Sequence, residues 1–170
     1  ALVYTRFDEV FMHKLSFLNP NLKEAIFRKS SCDRCKFIST DMRDTILNNM
    51  SFLSCEMKSL VLTDKDLSGI IFDGCDLENA HLLGCDLREA KLTRCSLLKT
   101  ILSNVSAKGA IFDGSTFDQT IMFKGDFRRA SFLDTLFKTS EIKAARFRGA
   151  IITGPYQIAD TVFDRAASRP

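Results

Sequence analysis

Histidine is scarce in this chain, and the spacing of the sequence places no serine, cysteine or carboxylate beside His13 or His81. A hydrolytic triad therefore has no members to assemble. A phosphate-binding glycine loop, an EF-hand loop and a dinucleotide fingerprint are all missing. Carboxylates do recur in pairs, Asp66 with Asp86 and Asp73 with Asp113, but on a flat solvated face they lack the pocket that shifts a pKa. The chain reads as a non-enzyme with no catalytic residue, metal site or cofactor. No apolar run approaches the roughly 18 residues of a membrane span, and the first residues lack the basic-then-apolar layout of a signal peptide. A strong charge of one sign is lacking too: 24 Lys and Arg stand against 21 Asp and Glu, a net +3 over 170 residues. That balance is too mild to name a nucleic acid or a membrane as partner. The length fits one domain, and a chain that opens at Ala1 already in its repeat is expected to be a fragment or a processed form.

What the sequence does have is a period of five. From Leu67, the residues Phe72, Leu77, Leu82, Leu87, Leu92, Leu97 and Leu102 follow at steps of five, each preceded two places earlier by Ile70, Cys75, Ala80, Cys85, Ala90, Cys95 or Thr100. Carried outward, the same step from Leu2 to Ile152 meets 31 positions, every one apolar, and 12 of the 15 Phe fall on it. With 45% of the chain hydrophobic, so long an unbroken run is not chance. Five is neither the helical period nor the strand period. It belongs to a repeat architecture whose units cannot bury an apolar face alone and must stack.

The stretch CDLENAHLLGCDLREAKL, Cys75 to Leu92, resembles the A(D/N)LXX consensus of the pentapeptide-repeat family. The resemblance covers about residues 2 to 152. It implies an all-β fold, a right-handed quadrilateral parallel β-helix in which four units make one square coil and the central residue (i) and the small residue at i−2 point inward. The residues agree independently, since a five-residue unit that turns a corner has room for one large and one small inward side chain. Nearly eight coils at about 4.8 Å each give a rod of roughly 37 Å. For function the resemblance implies little, because one scaffold carries many activities.

Cys35, Cys55, Cys75 and Cys95 are spaced by twenty, which stacks them at i−2 on successive coils. Their Cβ atoms then lie about 4.8 Å apart, farther than the roughly 3.8 Å of a disulfide. They are expected as reduced core thiols, which favours a cytoplasmic setting, in bacteria or in a host cytosol for a delivered effector. Zinc binding by Cys32 and Cys35 lacks the second pair that would complete it. The glycosylation-type triplets at Asn49 and Asn104 sit poorly with the same thiols.

Residues 1 to 62 keep the central register but hold large or stiff residues at i−2 (Val10, Leu15, Pro20, Met50, Leu60), so wider or distorted coils are expected there. Asn19-Pro20-Asn21 is a turn signal; continuous β-helix is preferred over a short helix in NLKEAIF because Leu22 and Phe27 stay in phase. The clearest irregularity is residues 63–66, where Lys65 occupies an i−2 site. An ammonium does not enter an apolar core unpaired, so a bulge, a hinge or a side chain snorkelling to the surface is expected. Farther on, Ala107 and Val105 exchange the large and small positions at roughly constant volume. Seven glycines, Gly69 to Gly154, fall at i+2, the corner where positive φ costs other residues more. The β-helix is assigned to residues 1–152. Beyond Ile152 the register fails at Gln157, and Pro155 with Ile158, Val162 and Ala166 predicts a capping helix and tail over 153–170, closing the strand edges of the last coil.

Two outward features remain. On the face centred on Phe7, Phe27, Leu47, Leu67, Leu87, Ala107, Phe127 and Phe147, the i+1 column ends in Arg88, Lys108, Arg128 and Arg148, and Arg129 and Arg146 join it. This basic stripe fits an acidic protein surface, or more weakly a phosphate backbone; neighbouring Asp66, Asp86, Glu89 and Asp126 can neutralise part of it. A neighbouring face presents Leu83, Ile101, Ile121 and Phe123 as an apolar ridge, a candidate protein interface or homodimer contact. The reading is a non-catalytic protein–protein interaction or targeting module, by analogy a domain of a bacterial effector. The alternative is a DNA-mimicking gyrase-binding protein that confers topoisomerase-inhibitor resistance. Such mimicry needs a strongly negative rod, which the Arg column and the +3 charge oppose.

Overall fold

A five-residue unit that turns a corner cannot pair its backbone with its own neighbours in sequence, so its partners must lie one full turn away. The computed structural model of the protein describes residues 2–17 and 20–154 and, for the backbone alone, 162–163. Strands β1 (Phe11–His13), β2 (Ser31–Asp33), β3 (Ser51–Leu53), β4 (Ile71–Asp73) and β5 (Lys91–Thr93) form one parallel sheet in sequence order. Each pairs with the next at a register of twenty, as in Phe52↔Phe72↔Leu92. Isolated parallel bridges carry the same register along three further columns, such as Lys36↔Glu56↔Asp76 and Val61↔His81↔Ile101. Every turn thus contributes four rungs to a parallel β-solenoid of about seven turns. Among the described residues there is no helix, hence none long and apolar enough to cross a membrane.

The step of five fills the interior. Phe72, Leu92, Phe112 and Phe132 are each fully buried and stand one above the next through the rungs 71↔91↔111↔131. Their rings stack where they meet, Phe52 on Phe72 at 5.2 Å and Phe112 on Phe132 at 5.0 Å, both with interplanar angles of 8°. From Ala25 to Ala145, Lys65 apart, the i−2 residues lie inside too, and their chemistry is specific. Thr100, Ser115 and Thr120 donate hydroxyl hydrogen bonds to the carbonyls of Leu77, Leu92 and Leu97 at 2.8, 2.6 and 2.7 Å. The cysteine thiols repeat the contact, Cys75 to Phe52 and Cys95 to Phe72. All six cysteines are free and buried. A small donor therefore suits this column as well as alanine does, because a carbonyl of the preceding turn accepts its proton.

Gly125 shows how tight the column is: the Phe127 ring occupies the space that a Cβ at Gly125 would take. Gly125→Ala is expected to destabilise the rod by about 1–3 kcal/mol through overpacking, measured as a loss in urea midpoint.

At i+2 the backbone is left-handed whatever the residue. Tyr4, Glu9, Lys14 and Arg129 have φ of 58°, 59°, 55° and 59°, alongside glycines such as Gly69 at 68°. Asp44 is the one described exception between Tyr4 and Gly154, and it explains Lys65. Glu9 N–H donates to Arg28, at i+1 of the next turn, but Glu24 N–H donates past Arg43 to the Asp44 carbonyl. The Arg43 carbonyl accepts instead from Lys65 Nζ at 2.9 Å. The expected bulge at 63–66 is absent, because Asp64, Leu67 and Asp66↔Asp86 keep their rungs. Lys65 stays half-buried, and burial pulls its pKa down while Asp44 pulls it up. The early turns also keep the twenty-residue register, and Met50 and Leu60 are buried in it, whereas Val10 and Leu15 on the first turn are exposed.

Beyond Gly154 the expectation of a helix meets only two described residues, and they form a strand. Val162–Phe163 pairs with Glu141–Ile142, an offset of 21 instead of 20. The pairing of Val162–Phe163 thus lies one residue out of step with the register of the preceding turns. At Gly154 the regular corner is already lost: its φ is 146°, and a Cβ there would lie 3.1 Å from the Asp134 and Thr135 backbone. The remainder of the expected capping helix and tail lies outside the described residues.

Candidate protein-interaction surfaces

Because side chains at i−1 and i+1 point outward on every rung, each face carries two straight columns with one residue per turn. On the basic face the i−1 column is bridged without a break as Asp66↔Asp86↔Ser106↔Asp126↔Arg146, which sets Arg88, Lys108, Arg128 and Arg148 on consecutive turns beside it. The sequence-predicted stripe is thus brought together, and it divides in two. Arg88 is neutralised by Asp86, with Nη2 at 2.5 Å and Nε at 2.9 Å from its carboxylate. Arg128 makes the same fork with Asp126 at 2.7 and 2.8 Å, and Arg146 adds a second cation to Asp126 at 3.5 Å. Hydrogen bonds from Arg128 and Arg88 hold the carboxyls of Asp126 and Asp86 below the ordinary carboxylate range and push the guanidinium values up.

Lys108, Arg129 and Arg148 have no ion-pair partner among the described residues. With Arg128 and Gly149 they line a shallow concavity of about 330 Å³ that has no acidic residue in its wall. Arg129 reaches it from the corner, where its backbone φ of 59° turns the chain. A second concavity, lined by Ser68, Gly69, Arg88, Glu89 and Lys108, is balanced by Glu89. The excess positive charge therefore sits at the Arg128–Arg148 end.

The apolar ridge is present on the neighbouring face. Val61, His81, Ile101 and Ile121 are bridged in sequence. Leu83 and Ile121 are 38% and 37% exposed, while Ile101 and Phe123 are half-buried. Ser103, on the turn between Leu83 and Phe123, is buried, and Lys124 Nζ stands 4.9 Å over the Phe123 ring. One expectation about histidine is corrected: the twenty-residue register does place a carboxylate beside His13, where Asp33 on the adjacent turn meets its Nδ1 at 2.8 Å.

A parallel solenoid with a sealed apolar interior and long outward columns defines a scaffold class. This chain belongs to the pentapeptide-repeat family: the model of the pentapeptide repeat region matches residues 25–102, and that of pentapeptide repeats in eight copies matches residues 85–132. Among solved structures, the chain is similar to a trypsin-treated variant of QnrB1, a plasmid-mediated fluoroquinolone resistance protein. There the identity is 16% over 89% of this chain and 90% of that one, with a TM-score of 0.47. It is also similar to HetL, a pentapeptide repeat protein involved in heterocyst differentiation regulation in the cyanobacterium Nostoc sp. (17% identity, 92% and 69% covered, TM-score 0.33). A pentapeptide repeat protein of the Arabidopsis thaliana thylakoid lumen is a third (16%, 81% and 65%, TM-score 0.26). No curated protein matches the sequence significantly.

Proposed function

We propose that the chain is a non-catalytic protein-interaction module whose basic end docks an acidic protein surface. The observation that carries this is the concavity in which Lys108, Arg129 and Arg148, three cations without an ion-pair partner among the described residues, gather beside the Asp126-paired Arg128 with no carboxylate in the wall. Like charges held together on a stiff scaffold repel one another, and an incoming acidic surface relieves that repulsion. The scaffold makes the display rigid at little entropic cost on binding, since rungs and not flexible loops position each residue. In this reading the coil winds right-handed, and its six free thiols fit a reducing compartment such as a bacterial or host cytoplasm. An effector domain is one setting consistent with that.

The test is a titration with polyglutamate as a stand-in for an acidic surface, with duplex DNA in parallel. The combined variant Lys108→Glu, Arg129→Glu, Arg148→Glu is expected to lose about tenfold or more in polyglutamate affinity, and the wild type to weaken similarly as salt rises. Tighter binding of DNA than of polyglutamate would move the site to phosphate backbones. Inhibition of gyrase supercoiling would favour the DNA-mimic alternative.

A further inference from the structure

The apolar face is bracketed by charge. Its i−1 column runs Asp41, Val61, His81, Ile101, Ile121, Glu141, bridged rung to rung, and its i+1 column runs Arg43, Thr63, Leu83, Ser103, Phe123, Lys143. The Asp41 and Glu141 rungs each hold an acid on the i−1 side and a base on the i+1 side, with the apolar ridge between them, while the face continues through Asn21 and Lys23 before Asp41 and through Val162, paired to Glu141, beyond it. Asp41 and Arg43 pair within the chain at 2.7 Å. Glu141 and Lys143 are both exposed, and their side chains have no ion-pair partner among the described residues.

We propose that this face binds the same face of a second copy, with the two rods side by side and parallel. Two rotations can bring the face onto itself. A two-fold axis along the rod sets the i−1 column of one copy against the i+1 column of the other on the same rung. Asp41 then faces Arg43 of the second copy, Glu141 faces its Lys143, and Ile101 and Ile121 meet its Ser103 and Phe123. A two-fold axis across the rod inverts the rungs and sets i−1 against i−1. With these six rungs in register, Asp41 would face Glu141 and Arg43 would face Lys143, and those contacts would repel. Charge complementarity selects the first arrangement. It also makes the occupant a second copy, because each end supplies both the acid and the base that the other rod needs.

Six rungs of about 4.8 Å by three residues of about 3.4 Å give roughly 300 Å² per copy, well under the roughly 800 Å² of a standard interface side. The dimer is therefore weak and forms only at high protein concentration. This inference is independent of the basic concavity, which lies on another face.

Sedimentation equilibrium between about 10 µM and 1 mM tests it, the range in which a weak dimer forms. The wild type is expected to pass from monomer to dimer. Ile121→Lys abolishes the dimer, because it carries a charge into the apolar contact. Lys143→Glu weakens it about tenfold by turning both Glu141 contacts into like-charge ones, and adding Glu141→Lys restores it. These side chains are exposed, so circular dichroism should show all three variants folded. A monomer at 1 mM overturns the proposal, as does dimerisation that Ile121→Lys leaves intact. A dimer strengthened by Lys143→Glu overturns the parallel arrangement, because only in the antiparallel one would that substitution face Arg43. The reversal of Lys108, Arg129 and Arg148 leaves dimerisation unchanged, so either reading can fail without the other.

Discussion

Phe112→Ala is expected to cost about 3–5 kcal/mol of folding stability, the range for truncating a fully packed aromatic ring. Phe112 is fully buried. Its ring stacks on Phe132 and meets the edges of Phe117 and Phe127 at centroid distances of 5.5 and 5.9 Å. The cavity cannot collapse, because the rungs on either side fix the spacing of the turns. In a solenoid each turn touches only its neighbours, so the loss is local in space and large in consequence. The turns after residue 112 uncouple from those before it. Urea unfolding followed by circular dichroism should therefore split into two transitions, with the C-terminal turns melting first. Leu133→Ala, at an exposed site on the next turn, should shift the midpoint by no more than about 0.5 kcal/mol. A single unshifted transition for Phe112→Ala would mean that the ring column does not carry the cohesion assigned to it.

The interior was legible in the sequence because it depends on one integer. Once the step of five is seen, a register of twenty follows, and Phe72, Leu92, Phe112 and Phe132 must stack. Features that depend on two residues far apart in sequence were not legible in the same way. Lys65 looked like a fault because its partner is a carbonyl 22 residues earlier, released where Asp44 leaves the left-handed corner. At the C-terminal end a frame of five carried forward from Ile152 reads Gln157 and stops, although Ile158 and Phe163 are again five apart in sequence. Helical spacing among Ile158, Val162 and Ala166 then fills the gap in the reading, although Val162–Phe163 pairs as a strand.

The candidate site was legible as columns and not as charge. Position modulo twenty places Arg88, Lys108, Arg128 and Arg148 on one line, yet it does not say which of them is free. A local signal did exist. In Asp41-x-Arg43, Asp86-x-Arg88 and Asp126-x-Arg128, the acid at i−1 and the base at i+1 share one outward face, and all three form forked ion pairs. Lys108 and Arg148 have Ser106 and Arg146 at the matching place and so remain available. Exposed pairs of this kind contribute little stability. Their effect is to concentrate the unbalanced charge at one end of the rod.

The buried thiols should make this protein sensitive to alkali. Burial pushes the Cys32 thiol far up, and for Cys55 the hydrogen bond with Cys75 does so together with burial. Cys75 is lowered by its bond with Cys55 but raised more by Cys95 and by burial, to about 12. Burial raises Cys85 to about 11 against the opposing Lys65 amide. A thiol whose pKa is higher in the folded than in the unfolded chain contributes stability that is whole below the unfolded value and lost as pH climbs past it. The unfolded value is 9.0, so the loss begins near pH 9. At pH 10 each of these four thiols is ionised in the unfolded chain and neutral in the folded one. That is a penalty of roughly 1–2 kcal/mol apiece and on the order of 5 kcal/mol together, comparable with the whole stability of a typical domain. Lys65 acts with the opposite sign, since its lowered pKa favours the folded state as pH rises toward the unfolded lysine value, but it is one group against four. Urea midpoints under reductant should therefore fall steeply between pH 9 and pH 10. Cys85→Ala should reduce the slope by about one proton, and a thiol reagent should remain unreactive at pH 8 until the chain unfolds. Stability that stays level to pH 10 would mean that the thiols ionise in place, in contact with water, and that the cysteine ladder is not the sealed wall described above.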